Sequence, residues 1–478
     1  MPWTSVWWFP RRRAGILLAT LVLLLAIIGC GGGSSATGSS ATPTQPPIAG
    51  KTTTQLRIGD AAVDRVISFE VTIASPMTFA ISGGGTAQVT LGSNRLEISH
   101  MSAKSEPLAV LSAPQGTYTG ATLTISNPEI VFLDNASVAH TLEGSASQTV
   151  SLTFSPALTI GSSPAVVSID LNVANSIATD ASGNITGFNF SASSFTFSTK
   201  AVAVADQQDN DGELEDVTGL VTNVSGNNFT MNVGQSGAQL TFATDTNTQF
   251  SDGLTNVSST LNQIVKVEGT TQADNTLLAS EVEGLENQNG AELEGLVTAV
   301  SGNPAASLTV VGQDGVGSGM DSTKVGASFT ANVGGASYKV DLGNIDTSGL
   351  GGIPGAPNFP FSGTTVKAGQ RAEVESAGAV PAAAGTIVAD KVKLQQQAMT
   401  GTVSNFVAGS GGAATFDLTL PASSYVALLS GQTTVHVFQQ PKTDNRFGTV
   451  SNGSVVRVRG LLFWTGSSFN LIARRITQ

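Results

Sequence analysis

A nine-residue phrase that is written twice constrains this chain more than any other feature. Gly219-Leu220-Val221-Thr222-Asn223-Val224-Ser225-Gly226-Asn227 recurs as Gly295-Leu296-Val297-Thr298-Ala299-Val300-Ser301-Gly302-Asn303 with one difference. A looser copy opens at Gly401-Thr402-Val403-Ser404-Asn405-Phe406. Closing phrases match too. Val265-Lys266-Val267-Glu268-Gly269, followed by residues 277–282, corresponds to Val456-Arg457-Val458-Arg459-Gly460, followed by residues 471–476. The middle copy keeps Ala372-Glu373-Val374-Glu375 and residues 387–392. Self-similarity in fixed order marks tandem supersecondary units, here 214–287, 291–396 and 397–478. Each unit opens on an alternating strand and closes on a V-x-V-x-G strand, a hairpin and a last strand. Five or six strands fit in roughly 75 to 105 residues, and closing them into a small barrel removes the exposed edges. The middle unit is longer through residues 343–369, with Pro354, Pro357 and Pro360, expected to be a surface loop.

Upstream, residues 55–204 alternate short Val, Ile, Thr and Phe runs with Gly, Asn, Asp and Ser clusters, as in Leu123-Thr124-Ile125, Ile130-Val131-Phe132 and the run from Val166 to Val173. That spacing predicts a β-sandwich, and helical periodicity is scarce. The expected fold class is all-β: an N-terminal β-sandwich followed by three small β-barrel repeat units.

The N-terminus reads as an address. Arg11, Arg12 and Arg13 precede an apolar run that ends in Ile27-Ile28-Gly29-Cys30, the order of a signal peptide over residues 1–29. Cys30 is the only cysteine, so no intramolecular disulfide can form. Its place resembles the lipobox of bacterial lipoproteins, which implies a diacylated thiol on the first mature residue. Residues 30–54 are rich in Gly, Ser, Thr and Pro, too poor in apolar surface to offset chain entropy, and are expected to be a disordered tether. The expected location is the cell envelope, on the outer membrane, with the membrane engaged through lipid on Cys30.

The repeat phrases, G-x-V-[TS]-x-V at the start and V-x-V-x-G with L-[LI]-A at the end, resemble the bacterial domain of unknown function 5666. Residues Leu56 to about Ala203 resemble the domain of unknown function 4382, through Ile58-Gly59-Asp60-Ala61-Ala62 with Val66 and Val71, Pro114-Gln115-Gly116-Thr117-Tyr118 and Val167-Ser168-Ile169-Asp170-Leu171. The resemblance implies architecture and an envelope setting, and no established activity comes with it.

Chemistry is sparse. His100, His140 and His436 stand apart, with no H-x-x-x-H pair, and are read as surface or strand histidines. No G-x-S-x-G elbow, phosphate-cradling loop or G-x-G-x-x-G occurs. The densest constellation is Asp206, Asp209, Asp211, Glu213, Glu215 and Asp216 around Gly212. It fits a solvated acidic linker, drawn at 205–213, and also a turn offering oxygen ligands to calcium, although it lacks the EF-hand spacing. Trp464, the one tryptophan beyond residue 8, lies in a hairpin where it either stacks on a sugar or packs on its own barrel or a neighbour.

A net charge of −12 argues against nucleic acid, whose phosphates need clustered Lys and Arg. The acidity is local. Residues 201–300 hold fifteen acids against the single base Lys266, while 397–478 is basic, with Arg457, Arg459, Arg474 and Arg475. That asymmetry suits cations or a basic partner, in this chain or on a neighbour. The function expected is a non-enzymatic binding or structural module. The alternatives are a carbohydrate- or matrix-binding adhesin and a calcium-stiffened assembly component, with an envelope protein or glycan as partner.

Overall fold

The computed structural model describes residues 50–478 apart from 62–64, 92–94, 103–104, 182–183, 203–212, 235–237, 286–287, 322, 343–344, 346–358 and 478. Residues 46–478 form one compact unit. It is built almost wholly of strands, as a sandwich followed by three barrel units. Cys30 and residues 1–49 lie outside the described residues.

In the sandwich, one sheet runs Phe195–Ala201, Ala165–Asn172, Lys51–Ala61, Ser105–Pro114, with a parallel pair at its centre. The facing sheet runs Gly85–Val89, Met77–Ile81, Gly116–Leu133, Val66–Ile73, Arg95–Glu97, and Ala139–Glu143 and Gln148–Ile160 also pair with its long strand. Alternation places Leu56, Ile58, Ile169 and Leu171 of the first sheet against Phe69, Val71, Leu123 and Ile130 of the second in one core. The two runs expected as separate strands around Leu123 and Ile130 are one strand of 18 residues. It bends at Asn127, whose φ of 45° asparagine tolerates. The strand Ala165–Asn172 stops because the Asn172 side chain accepts from Asn175 N and caps the short helix Val173–Ser176.

The first barrel consists of Glu213–Ser225, Asn228–Val233, Ala238–Ala243, Ile264–Thr271 and Leu277–Gly284. Its wall runs first, second, third, fifth, fourth strand and back to the first; the third and fifth are parallel, as at Phe242 opposite Leu277, and the short strand Gln249–Ser251 also pairs parallel with the fifth. The third unit closes in the same order from Gln396–Ala408, Ala414–Thr419, Thr434–Asn445, Val455–Trp464 and Phe469–Thr477, again with one parallel pair.

The repeated glycines follow from this closure. A Cβ on Gly219 or Gly295 would lie 2.2 or 2.1 Å from a carbonyl oxygen of the second strand, and one on Gly269 or Gly460 would lie 2.2 or 1.9 Å from a carbonyl of the fifth. Backbones approach there too closely for any side chain. In the middle unit Ser376 stands where the other two have the closing glycine. Its fourth strand, Arg371–Ser376, ends at that residue, and its fifth position is split into Thr386–Val388 and Lys391–Leu394. The seven-stranded sheet of this unit follows the same path around, through those two pieces.

The described part of 359–369 is no surface loop. Phe361 and Val366 are buried, and the Phe359 ring lies 5.7 and 5.0 Å from those of Phe438 and Phe463 in the third unit. Aromatic side chains in a Gly/Pro-rich run found a neighbouring barrel to cover them. Ile67, Val131 and Leu133 of the sandwich meet Leu296 and Val311 of the middle unit and Leu428 and Leu429 of the third. The first barrel reaches the sandwich through Asn275 Nδ2, which donates to the carbonyls of Thr53 and Ala165 at 2.8 and 3.0 Å.

Candidate functional site

In a V-x-V-x-G strand the valines fill the barrel, and the residues between them point outward. On an isolated barrel those outward charges would be solvated. Here they are buried between units. Lys266 Nζ donates to Asp341 Oδ2 and Glu373 Oε2, both at 2.8 Å, and Glu373 is 1% exposed. Lys393 Nζ lies 2.9 Å from Glu283, 3.2 Å from Glu373 and 3.1 Å from Glu375, and Lys391 Nζ donates to Glu375 at 3.0 Å. Burial works against ionising Glu373 and Asp341, but Lys266 and Lys393 outweigh it and hold both below the usual carboxylate range. At Glu292 the balance tips the other way: burial, with Glu373 beside it, pushes it well up against the pull of the same two lysines.

The acidic cluster divides. Asp206, Asp209 and Asp211 lie outside the described residues; Glu213 and Asp216 belong to the first strand of the barrel, and their side chains lie outside them too. Glu215 is buried among arginines of the third unit, 3.5 Å from Arg459 Nε, 3.8 Å from Arg474 Nη2 and 3.4 Å from Arg475 Nη2. Glu215 is thus paired with basic residues within the chain. Among the described residues no group of three or more His, Cys, Asp or Glu is arranged to hold a metal ion.

A third cluster corrects the reading of His100 as a surface or strand histidine. His100 sits in a turn, 5% exposed, with Glu97 Oε2 2.7 Å from Nδ1 and Glu106 Oε1 3.0 Å from Nε2. Only an imidazolium can donate to both carboxylates. Burial opposes the charge on Glu97, yet hydrogen bonds from His100, Ser99 and the Phe69 amide hold its pKa down. Asp314 close by is pushed up to about 6 by burial, against the pull of His100. Arg371 binds Glu294 at 2.9 Å and donates to the His100 carbonyl at 3.3 Å, joining the middle unit to the sandwich. Glu97 and Glu106 stand three and six residues from His100, the one local signal of the cluster. The void there is about 30 Å³, room for a water or two. His140 pairs with Asp134 and His436 with Asp417, both partly exposed.

A larger cavity than these lies elsewhere, between the two sheets of the sandwich. It measures about 280 Å³ and is walled by Leu56, Phe79, Tyr118, Leu158, Ile160 and Val167, with Lys51 at its rim. Neither Lys51 nor Leu158 carried a motif. The cavity depends on how far two sheets stand apart, which alternation does not encode. Trp464 is half-buried; its ring packs edge-on to Phe469 at 5.1 Å, and Lys367 Nζ lies 5.1 Å from the ring centre. The ring thus packs on its own barrel through Phe469 and meets Lys367 of the middle unit.

Among the described residues no helix is long and apolar enough to cross a membrane. The model of a domain of unknown function, DUF5666, matches residues 218–283, nearly the whole first barrel. No curated protein matches the chain.

Proposed function

We propose that this is a lipid-anchored protein of the bacterial cell envelope, a non-enzymatic binding and structural module. The observation that carries the proposal is the sequence order at the N-terminus: three arginines, an apolar run, Ile27-Ile28-Gly29-Cys30, and then about twenty polar and small residues leading to the first strand at Lys51. Supporting a non-enzymatic role, the buried ionic clusters surround voids of about 30 and 10 Å³, too small for a substrate. The sandwich belongs in this proposal as a domain resembling the domain of unknown function 4382. The middle and third barrels are further copies of the first, on the strength of their shared strand order and the opening glycine at Gly219, Gly295 and Gly401.

Fractionation of cells fed an alkyne-labelled fatty acid tests the anchor. The wild-type chain should carry label and sediment with membranes, and Cys30→Ser should lose both. A Cys30→Ser protein that stays in the membrane fraction, or an unlabelled wild type, would refute it.

A further inference from the structure

We propose that the cleft between the two sandwich sheets binds a small amphiphile with an apolar body of roughly ten carbons and an anionic head group. This rests on the binding-module reading and gives it a ligand class.

The interior of the cleft is apolar and braced. Leu56, Phe79, Tyr118, Leu158, Ile160 and Val167 are each at most 7% exposed, yet they border about 280 Å³ of open space. Well-packed interiors leave few voids of that size. The walls are held by contacts behind them. Phe79 packs edge-on to Tyr118 and to Phe197 at 6.3 and 6.1 Å, and the Tyr118 hydroxyl donates to the Pro114 carbonyl at 2.6 Å. A cavity of about 150 Å³ takes a benzene ring, so this one accommodates a body nearly twice as large.

The rim sets the charge. Lys51 is exposed at the mouth, no Asp or Glu lines the cleft, and among the described residues no carboxylate pairs with Lys51. The other polar groups there, Thr54, Thr86, Gln88 and Ser112, are neutral. In a chain with 34 acids and 22 bases, an acid-free lining with one cation favours an anion and repels an amine.

The test uses the chain from residue 46 onward, which is one compact unit. Decanoate and decyltrimethylammonium are titrated calorimetrically below their micelle-forming concentrations. Decanoate should bind one per chain and about tenfold or more tighter than the cationic probe. Lys51→Glu should reverse that order and leave the melting temperature of the free protein unchanged. Leu158→Trp, which fills the cleft, should abolish binding of both; Ala87→Phe at the half-buried edge does the same with less demand on the core. Equal affinity for the two head groups, binding that survives a folded cleft-filling variant, or no saturable binding would each overturn the proposal. Failure here leaves the anchoring result on Cys30 standing, and failure of the anchor leaves this titration unaffected.

Discussion

Glu215 and Arg475 are 260 residues apart in sequence, and Glu215 Oε1 lies 3.4 Å from Arg475 Nη2 in the fold. Arg475 Nε also meets Asp444 at 2.9 Å, so one guanidinium ties the first strand of the first barrel to the third strand of the last. Removing one member of a buried pair strands the charge of the other, at about 3–5 kcal/mol, whereas replacing both with apolar groups is often near neutral. Glu215→Gln is accordingly expected to lower the urea midpoint strongly. Glu215→Leu with Arg475→Met should lose less than Glu215→Leu alone. A double mutant as weak as the sum of the singles would show that the two side chains do not act as a pair.

Stability is expected to fall as pH rises from about 5 to 8. Glu70 is pushed up to about 7 by burial, despite the Arg95 guanidinium against it; Asp314 is pushed up to about 6, and Glu292 is raised as well. In that window the folded chain holds protons that the unfolded chain has released, so the stability slope against pH is negative. A raised carboxylic acid is favourable to the fold while protonated, and that advantage is gone once pH passes its folded pKa. For Glu70 the loss is of order 3 kcal/mol. Urea titrations at pH 5 and pH 8 should show it, and Glu70→Gln should flatten the difference.

Gly460→Ala should be severe. Its Cβ would fall 1.9 Å from the Ile472 carbonyl, so one of two paired strands must move. A loss of at least about 2–3 kcal/mol is expected. Gly161→Ala, with nothing within 4 Å of the new Cβ, should stay within about 0.5 kcal/mol of wild type. Thermal melts of the two variants side by side make the comparison.

Trp464 is the sole tryptophan of a chain that begins at residue 46, so intrinsic fluorescence reports it alone. Packed on Phe469 and beside Lys367, it should emit to the blue of free tryptophan and shift red on unfolding. Trp464→Ala should cost about 2 kcal/mol, less than a fully buried aromatic. Full stability in that variant would mean the ring is not part of the packing.

Much of the architecture was legible locally. The paired phrases at Gly219 and Gly295 marked the opening strands, because period-two alternation and an obligatory glycine are properties of a strand and its nearest neighbour. The same logic placed Val265, Val267, Val456 and Val458 inside barrels. It misplaced His100, which reads as a surface or strand histidine but is buried in a turn, and it was silent on Phe359, whose ring packs on Phe438 and Phe463 of another unit. It was equally silent on the cleft, where the decisive quantity is the distance between two sheets.

By itself, then, the sequence determined which side chains enter each barrel, where backbones must touch, and that acids gather in the first unit and arginines in the last. Only the tertiary structure decided what lies against the outer faces. Alternation separates the inside of a barrel from its outside, and nothing in it says whether that outside meets water or another barrel. Nothing along their own strands marks Lys266, Glu373, Lys393 or Glu215 as buried. Packing four modules into one body made them the buried ionic seams that hold the modules together.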